Sequence, residues 1–289
     1  MSKIALGTVQ FGMPYGVANK SGQVQEKQVG EILEYAESQG IDTLDTAIGY
    51  GESERVLGKF PLGKWKVVSK LGRVPDGTVN VCKWVTEQIH GSLDQLRIPS
   101  MHSLLLHDPS QLTGNIGHEL FSALRMAKEK NLVQEIGISI YESSELDRIF
   151  ETFSFDIVQA PFHIADHRLI KTGWLDRLQD LGVEFHARSV FLQGLLLLGS
   201  NERPSKFQRW DYFWSAWQHW LDEVDLSPLE ACLRYVHSFS GVRKVIVGVD
   251  SSAQLREICK AVEGDMPNIP DELYCDDLDF LNPSRWSSL

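Results

Sequence analysis

Residues 40–58 read GIDTLDTAIGYGESERVLG, and the plan of the chain can be followed outward from them. Gly40 closes an amphipathic stretch, EKQVGEILEYAESQG (26–40), whose apolar residues recur at three- and four-residue steps, the signature of a helix with one buried face. Residues 42–46 then read as a short strand that ends in polar side chains. Strand after helix, with a polar strand end, is the unit to look for elsewhere.

It recurs throughout. Short runs rich in Val, Ile and Leu occupy 4–8, 66–70, 103–107, 135–139, 156–160, 183–188 and 244–248. Helical patterns lie between them, among them VCKWVTEQIHGSLDQLR (81–97) and ELFSALRMAKEKN (119–131). Eight β units alternating with helices, with no Pro/Ser/Gly-rich linker, predict an α/β chain folded as one (β/α)8 TIM barrel over 1–289. An open, doubly wound sheet shares the same local pattern; the count of eight favours the closed barrel. Residues 263–289 are rich in Asp and Pro but hold Leu278, Phe280 and Trp286, so they are expected to fold back as a tail packed on the barrel.

Composition narrows the function classes. The net charge of -11 argues against general polyanion binding, which rests on Lys and Arg meeting phosphates, so no nucleic-acid partner is expected. Cys82, Cys232, Cys259 and Cys275 form no C-x-x-C pair and suit reduced thiols in a cytosol. No apolar run reaches the roughly 18 residues of a membrane span, and the N-terminus shows no secretion signal. A cytoplasmic protein with no membrane partner is the expectation; the oligomeric state is not readable.

In a barrel of this kind, the C-terminal strand ends form the rim on which active sites are built. Here they carry Thr8 and Gln10, Asp45, Lys70, His107, Ser139, Gln159, Arg188 and Ser189, then Gly248 with Asp250. Strand ends are polar anyway where they meet solvent. A lysine and a histidine each ending an apolar strand, VVSK (67–70) and LLLH (104–107), are harder to explain that way.

The 40–58 stretch resembles the signature of the aldo/keto reductase superfamily: a glycine, then Asp-Thr-Ala, Tyr-Gly, Ser-Glu and a closing Leu-Gly. GTVQFG (7–12), VVSKLG (67–72), LLLHDP (104–109), EIGIS (135–139), VQAPF (158–162), FLQGLL (191–196) and VIVGVDSSAQL (245–255) follow in family order, so the resemblance covers essentially the whole chain. It implies an NAD(P)H-dependent oxidoreductase that interconverts a small-molecule aldehyde or ketone, sugar carbonyls included, and its alcohol. The catalytic four would be Asp45, Tyr50, Lys70 and His107, with Tyr50 as proton donor. A free tyrosine holds its proton too tightly near neutrality, with a pKa of about 10. A cation at Lys70 would stabilise the phenolate, Asp45 would hold that cation, and His107 would orient the carbonyl.

The resemblance also implies a cofactor site at Gly7, Thr8, Gln10, Ser139, Gln159, Arg188, Ser189, Phe191, Gln193, Gly248, Asp250, Ser251 and Gln254. No G-x-G-x-x-G occurs. Ser251 with Gln254 reads as a capping box whose helix N-terminus could receive phosphate. Many NADP-using members carry Lys or Arg in this loop. Asp250 would instead accept a ribose hydroxyl, which favours NAD over NADP, although Arg256 is near. Two positions depart from the family: Ser139-Ile140 replaces Ser-Asn, and Arg188 stands where an aromatic ring commonly stacks on the nicotinamide. Those departures keep open a cofactor-binding sensor with little turnover, and Lys70 keeps open a Schiff-base aldolase.

His163, Asp166 and His167 form H-x-x-D-H, which by spacing alone is a poor case for a metal; no metal is expected, and His163 near the rim is read as a possible substrate contact. Trp210, Trp214, Trp217 and Trp220, with Phe213, recur at helical spacing and read as a buried helix face, or as the lining of a cleft.

Overall fold

The computed structural model describes residues 2–19 and 21–289. Its sheet is a closed barrel in which each strand pairs in parallel with the next: β1 (Ile4–Gly7), β2 (Thr43–Asp45), β3 (Lys66–Leu71), β4 (Met101–Leu106), β5 (Val133–Ser139), β6 (Ile157–Pro161), β7 (Glu184–Arg188) and β8 (Val242–Gly248). β8 returns to β1 through Ile4↔Val245 to Gly7↔Gly248, which closes the sheet and removes the open-sheet alternative. All eight expected strands are present. β4, β5 and β8 start two residues early because a polar residue (His102, Gln134, Arg243) follows the first buried one and hides the apolar run.

The expected helices form at Glu26–Ser38, Val81–Leu96 and Gly117–Glu129. Gly40 and Asn131, just beyond two of them, take the positive φ angles of +67° and +56° that end a helix without strain in Gly and at little cost in Asn.

Side chains alternate across each strand, so each one faces both a helix layer and the barrel interior. The large core lies between sheet and helices. Inside the barrel Val68, Leu105 and Ile157 form an apolar layer. Gly137 sits beside it for want of room: a Cβ there would lie 2.5 Å from both the Ile157 carbonyl oxygen and a Leu105 methyl. The two ends of the interior are polar. Lys66, Glu135, Glu184, His186 and Lys244 lie towards the strand starts; Asp45, Lys70, Ser139, Gln159 and Arg188 lie towards the strand ends.

The tryptophan-rich segment is the helix Asp211–Val224, which buries Phe213, Trp214, Trp217, Trp220 and Leu221. They lie outside the 670 Å³ cavity at the barrel rim and seat the C-terminal segment instead. Phe280 packs on Phe213 and Trp214 with ring centroids 4.9 and 5.4 Å apart. Three of the four indole N–H groups donate to protein oxygens: Trp214 donates to the Phe207 carbonyl, Trp220 to that of Asn268 and Trp210 to Asp277. Phe280 and Trp286 are buried, while Leu278 is only partly so. No helix among the described residues is long and apolar enough to cross a membrane.

Candidate active site

β2 ends at Asp45 and β3 carries Lys70 two residues beyond the level of that carboxylate. The Lys70 ammonium donates to Asp45 Oδ1 at 2.5 Å and to the Thr46 carbonyl at 2.8 Å, and the Gln159 amide donates to Asp45 Oδ2 at 2.7 Å. Lys70 is 1% exposed and Asp45 4%. Two charges so deep persist only when each has a partner. Burial alone would pull the lysine pKa down; the Asp45 charge, the Tyr50 phenol and the hydrogen bond to Asp45 outweigh it and leave it above the ordinary value.

Tyr50 follows β2 on a turn in which its N–H donates to the Ala47 carbonyl and its own carbonyl accepts from Ser53. The turn lies directly on the chain after β1. A Cβ on Gly12 would sit 1.8 Å from the Tyr50 carbonyl oxygen, so only glycine permits the approach. Below it, Ser53 Oγ lies 2.9 Å from Thr8 Oγ1 and 3.0 Å from Thr46 Oγ1, a fully buried hydroxyl cluster tying the turn to both strands. The Tyr50 ring is thereby set 5.0 Å from the Lys70 ammonium and edge-on to His107, whose centroid is 5.9 Å away. His107 extends β4, donating its N–H to the Leu71 carbonyl. Burial, then the charges of Lys70 and Arg188, lower its pKa to about 4, so the imidazole is neutral at pH 7.

Above these groups opens a cavity of 670 Å³, within the range that takes small-molecule and cofactor ligands. Tyr50, His107, Tyr15, Tyr141 and Arg188 line one end; Asn19, Asp250, Gln254, Glu257 and Ile258 line the other. Its floor is bare where Gly7 and Gly248 pair. A Cβ on Gly248 would lie 2.4 Å from the Gln10 amide, whose Oε1 is buried without a partner. The loop after β7 arches over the cavity with Ser189, Leu192 and Gln193 all at φ near +50°, a conformation costly for side-chain-bearing residues. Val17 N–H donates to the Gln193 carbonyl, and Gln193 donates to the Tyr15 hydroxyl at 3.1 Å, which joins this loop to the one after β1.

Residues 3–269 match the sequence profile of the aldo/keto reductase family. The chain belongs to that family. It is 29% identical over 120 residues to D-arabinose 1-dehydrogenase of Saccharomyces cerevisiae, a stretch covering 38% of this chain and 36% of the yeast protein. It is 24% identical over 188 residues to the aldo-keto reductase YhdN of Bacillus subtilis, covering 58% and 52%. The matched stretches therefore span about a third to a half of those relatives. Among solved structures, the holo form of an aldo-keto reductase from Bacillus halodurans superposes with a TM-score of 0.72 at 21% identity, covering 92% of this chain and 88% of that one.

Of the residues expected at the cofactor in this aldo/keto reductase, Gly7, Thr8, Gln10, Arg188, Ser189, Phe191, Gln193, Gly248, Asp250 and Gln254 line the cavity. Ser139, Gln159 and Ser251 do not. Gln159 is turned to Asp45, and Ser139 lies beneath Arg188, which donates to its hydroxyl at 3.3 Å and to the Ile140 carbonyl at 2.9 Å. The capping box is also altered: Ser251 Oγ accepts from the Gln254 N–H, but the Gln254 side chain returns to the Asp250 N–H, not to Ser251. Arg256 does not swing in; its guanidinium lies 4.0 Å over the Tyr35 ring. His163 is fully buried with both ring nitrogens unpartnered, and it does not reach the cavity, so the substrate contact expected of it is withdrawn. Asp166 pairs with Arg168 at 2.7 Å, and the His167 ring meets the Tyr235 hydroxyl. A Schiff-base role for Lys70 fails on the same physics that holds it: a buried ammonium clamped by a carboxylate and with a raised pKa is not a free amine nucleophile.

The sequence reading missed Tyr15, Asn19, Tyr141, Glu257 and the segment Ser227–Leu229. The last had a signal: Ser227 with Glu230 is a true reciprocal capping box that opens the helix Pro228–Ser238 at the cavity wall.

Proposed function

We propose that this aldo/keto reductase is a nicotinamide-dependent oxidoreductase that interconverts an aldehyde or ketone and its alcohol, with Tyr50 as the acid and base. The observation that carries the reading is the Tyr50 ring set 5.0 Å from a lysine that is buried, charged and locked by Asp45. Carbonyl reduction needs a proton delivered to an oxygen as negative charge grows on it. Lys70 lowers the free energy of the Tyr50 phenolate that remains after donation, and Asp45 keeps Lys70 charged and immobile. His107, neutral at pH 7, can donate one N–H to the carbonyl oxygen and orient it.

The cavity suits a dinucleotide. It runs from Tyr50 to the helix Ser252–Ala261, its floor is glycine on both paired strands, and the orphaned Gln10 Oε1 offers an acceptor. When bound, the cofactor supplies or receives the hydride. Gln10, Arg188 and the loop 189–194 would hold its nicotinamide half; Asp250, Gln254 and Asn19 would hold the other. Among the described lining residues at that second end none is Lys or Arg, while Asp250 and Glu257 are acidic, which supports NAD over NADP. The sugar dehydrogenase among the relatives and the polar rim support a hydroxylated carbonyl substrate.

Fluorescence titration with NADH and NADPH, followed by turnover of an aldehyde panel by wild type and Tyr50→Phe, tests the reading. Nucleotide binding with turnover lost in the variant is expected. Binding without turnover of any carbonyl would favour a sensor, and no binding of either nucleotide would overturn the proposal.

A further inference from the structure

Arg188 ends β7 at the reaction end of the cavity and has no carboxylate partner among the described residues. It donates through Nε to Ser139 Oγ, through Nη1 to Ser189 Oγ and through Nη2 to the Ile140 carbonyl. All three acceptors are neutral. A guanidinium has five N–H groups, so one on each terminal nitrogen is left over. The Tyr141 ring, 4.3 Å from the guanidinium carbon, covers one face and fixes its plane. Tyr141 is itself pinned, its carbonyl accepting from Arg168 and its N–H donating to Glu145. The nearby Asp45 is consumed by Lys70 and Gln159. The site thus holds two fixed cations and one carboxylate, and the surplus charge faces the cavity.

A half-buried, oriented and uncompensated cation is unfavourable unless an anion arrives. The cofactor does not supply one at this place. Arg188 acts electrostatically on His107, Lys70 and Tyr15, so it stands with the groups that would meet the carbonyl and the nicotinamide. A nicotinamide ring is neutral or positive, and the pyrophosphate lies a ribose further on. The remaining source is the substrate.

Resting on the functional reading above, we infer that the substrate carbonyl compound carries a carboxylate, which Arg188 receives through its two free N–H groups with the Tyr15 hydroxyl as a further donor. Tyr15 lines the same end, its oxygen already accepts from Gln193, and its own proton remains to be given. Burial raises its pKa to about 12, which keeps that proton in place. Two spare N–H groups on neighbouring nitrogens of one rigid plane suit a carboxylate; a phosphate dianion would call for more donors than this end offers. The carboxylate takes no part in the redox step: hydride and proton add across the carbonyl to give the hydroxy acid.

The test compares matched substrates on the holoenzyme, reading kcat/KM for succinic semialdehyde against butyraldehyde and against the semialdehyde's methyl ester. Wild type should prefer the acid by about tenfold to a hundredfold, the range of a charge-assisted hydrogen bond. Arg188→Gln should bring that ratio close to one whatever happens to the absolute rates, and Arg188→Lys should retain part of it. A wild-type ratio near one would overturn the inference while leaving the oxidoreductase reading intact. A larger ratio for glyceraldehyde 3-phosphate over glyceraldehyde would overturn the choice of carboxylate. If no carbonyl is turned over, the functional reading falls, and calorimetry with succinate decides the site separately. Binding that Arg188→Gln abolishes supports the anion site; no binding ends it.

Discussion

At the strand starts, every cation inside the barrel has an acid beside it. Lys244 donates to Asp42 and to the Ser2 carbonyl, and Lys66 lies 3.9 Å from the same Asp42; Glu184 has the His186 ring and the more exposed Arg243 beside it, and Glu135 has the His102 ring. At the strand ends the counterparts are Lys70 with Asp45, and Arg188 with neutral acceptors only. The first layer does not line the cavity above the rim; Asp45 and Arg188 of the second layer do. Strand alternation puts Lys66, Glu135, Glu184, His186 and Lys244 in the same inward rows as the rim residues, so position along the strand, not side-chain type, separates a plug from a site. The plug is electrically closed. The rim is left open for a ligand.

That contrast can be broken at several places. Tyr50→Phe removes the only phenol set beside Lys70 in the proposed chemistry. Turnover should fall by about 10²–10⁴-fold, the usual share of a general acid, with nucleotide affinity nearly unchanged in titration. Lys70→Met leaves Asp45 buried with only Gln159 and should cost about 3–5 kcal/mol of stability in urea unfolding. Adding Asp45→Asn should recover much of that stability without restoring turnover; recovery of both would sink the assignment of Lys70 to chemistry. At the closed end, Lys244→Met strands an acid that solvent still reaches and that keeps Lys66 nearby. It should cost about 1–2 kcal/mol and leave turnover intact. Asp250→Asn should narrow the gap between the NADH and NADPH dissociation constants by about tenfold. Equal affinities in wild type would refute the role given to Asp250.

Acid separates the two ends more gently. Burial lowers the pKa of His107, His163 and His167 to about 4, so the folded state binds fewer protons there than the unfolded chain does. Their contribution is complete above pH 6.5 and is lost as pH falls from there towards 4. Glu184, held low by the His186 hydrogen bond, and Asp42, held low by Lys244 against the opposing effect of burial, contribute above the ordinary carboxylate range and fail only below it. Melting temperature should therefore begin to fall below pH 6.5, before the carboxylates of the closed end titrate. His163→Phe should shrink the difference between pH 7 and pH 5 by a few degrees. An unchanged difference would show that His163 does not report the buried imidazoles.

The barrel was legible because a strand that must face two layers leaves an apolar run, and eight such runs admit few folds. Asp45, Lys70 and His107 were legible because each ends such a run, and Tyr50 because its glycine-flanked turn repeats a family pattern. Three kinds of information were not. Ser139 and Gln159 stand at the right strand ends, but whether a side chain reaches the cavity or a neighbour depends on what Asp45 and Arg188 demand of it. Tyr15 and Tyr141 sit in loops, where no periodicity marks a direction. The closing arm of the Ser251 cap went to Asp250 because a capping pattern names the two residues and not the geometry between them.

The seat of the C-terminal segment bears on how the chain can be cut. The family profile ends at 269, yet beyond that point Phe280 covers Phe213 and Trp214, and Trp286 covers Phe207. A chain trimmed to the profile would keep every strand and every rim residue. It would also present a contiguous aromatic face to water, the kind of surface that draws copies together. Where similarity stops is thus not where the protein becomes colloidally independent: the last twenty residues act as a built-in solubilising cover for a helix that cannot stand bare.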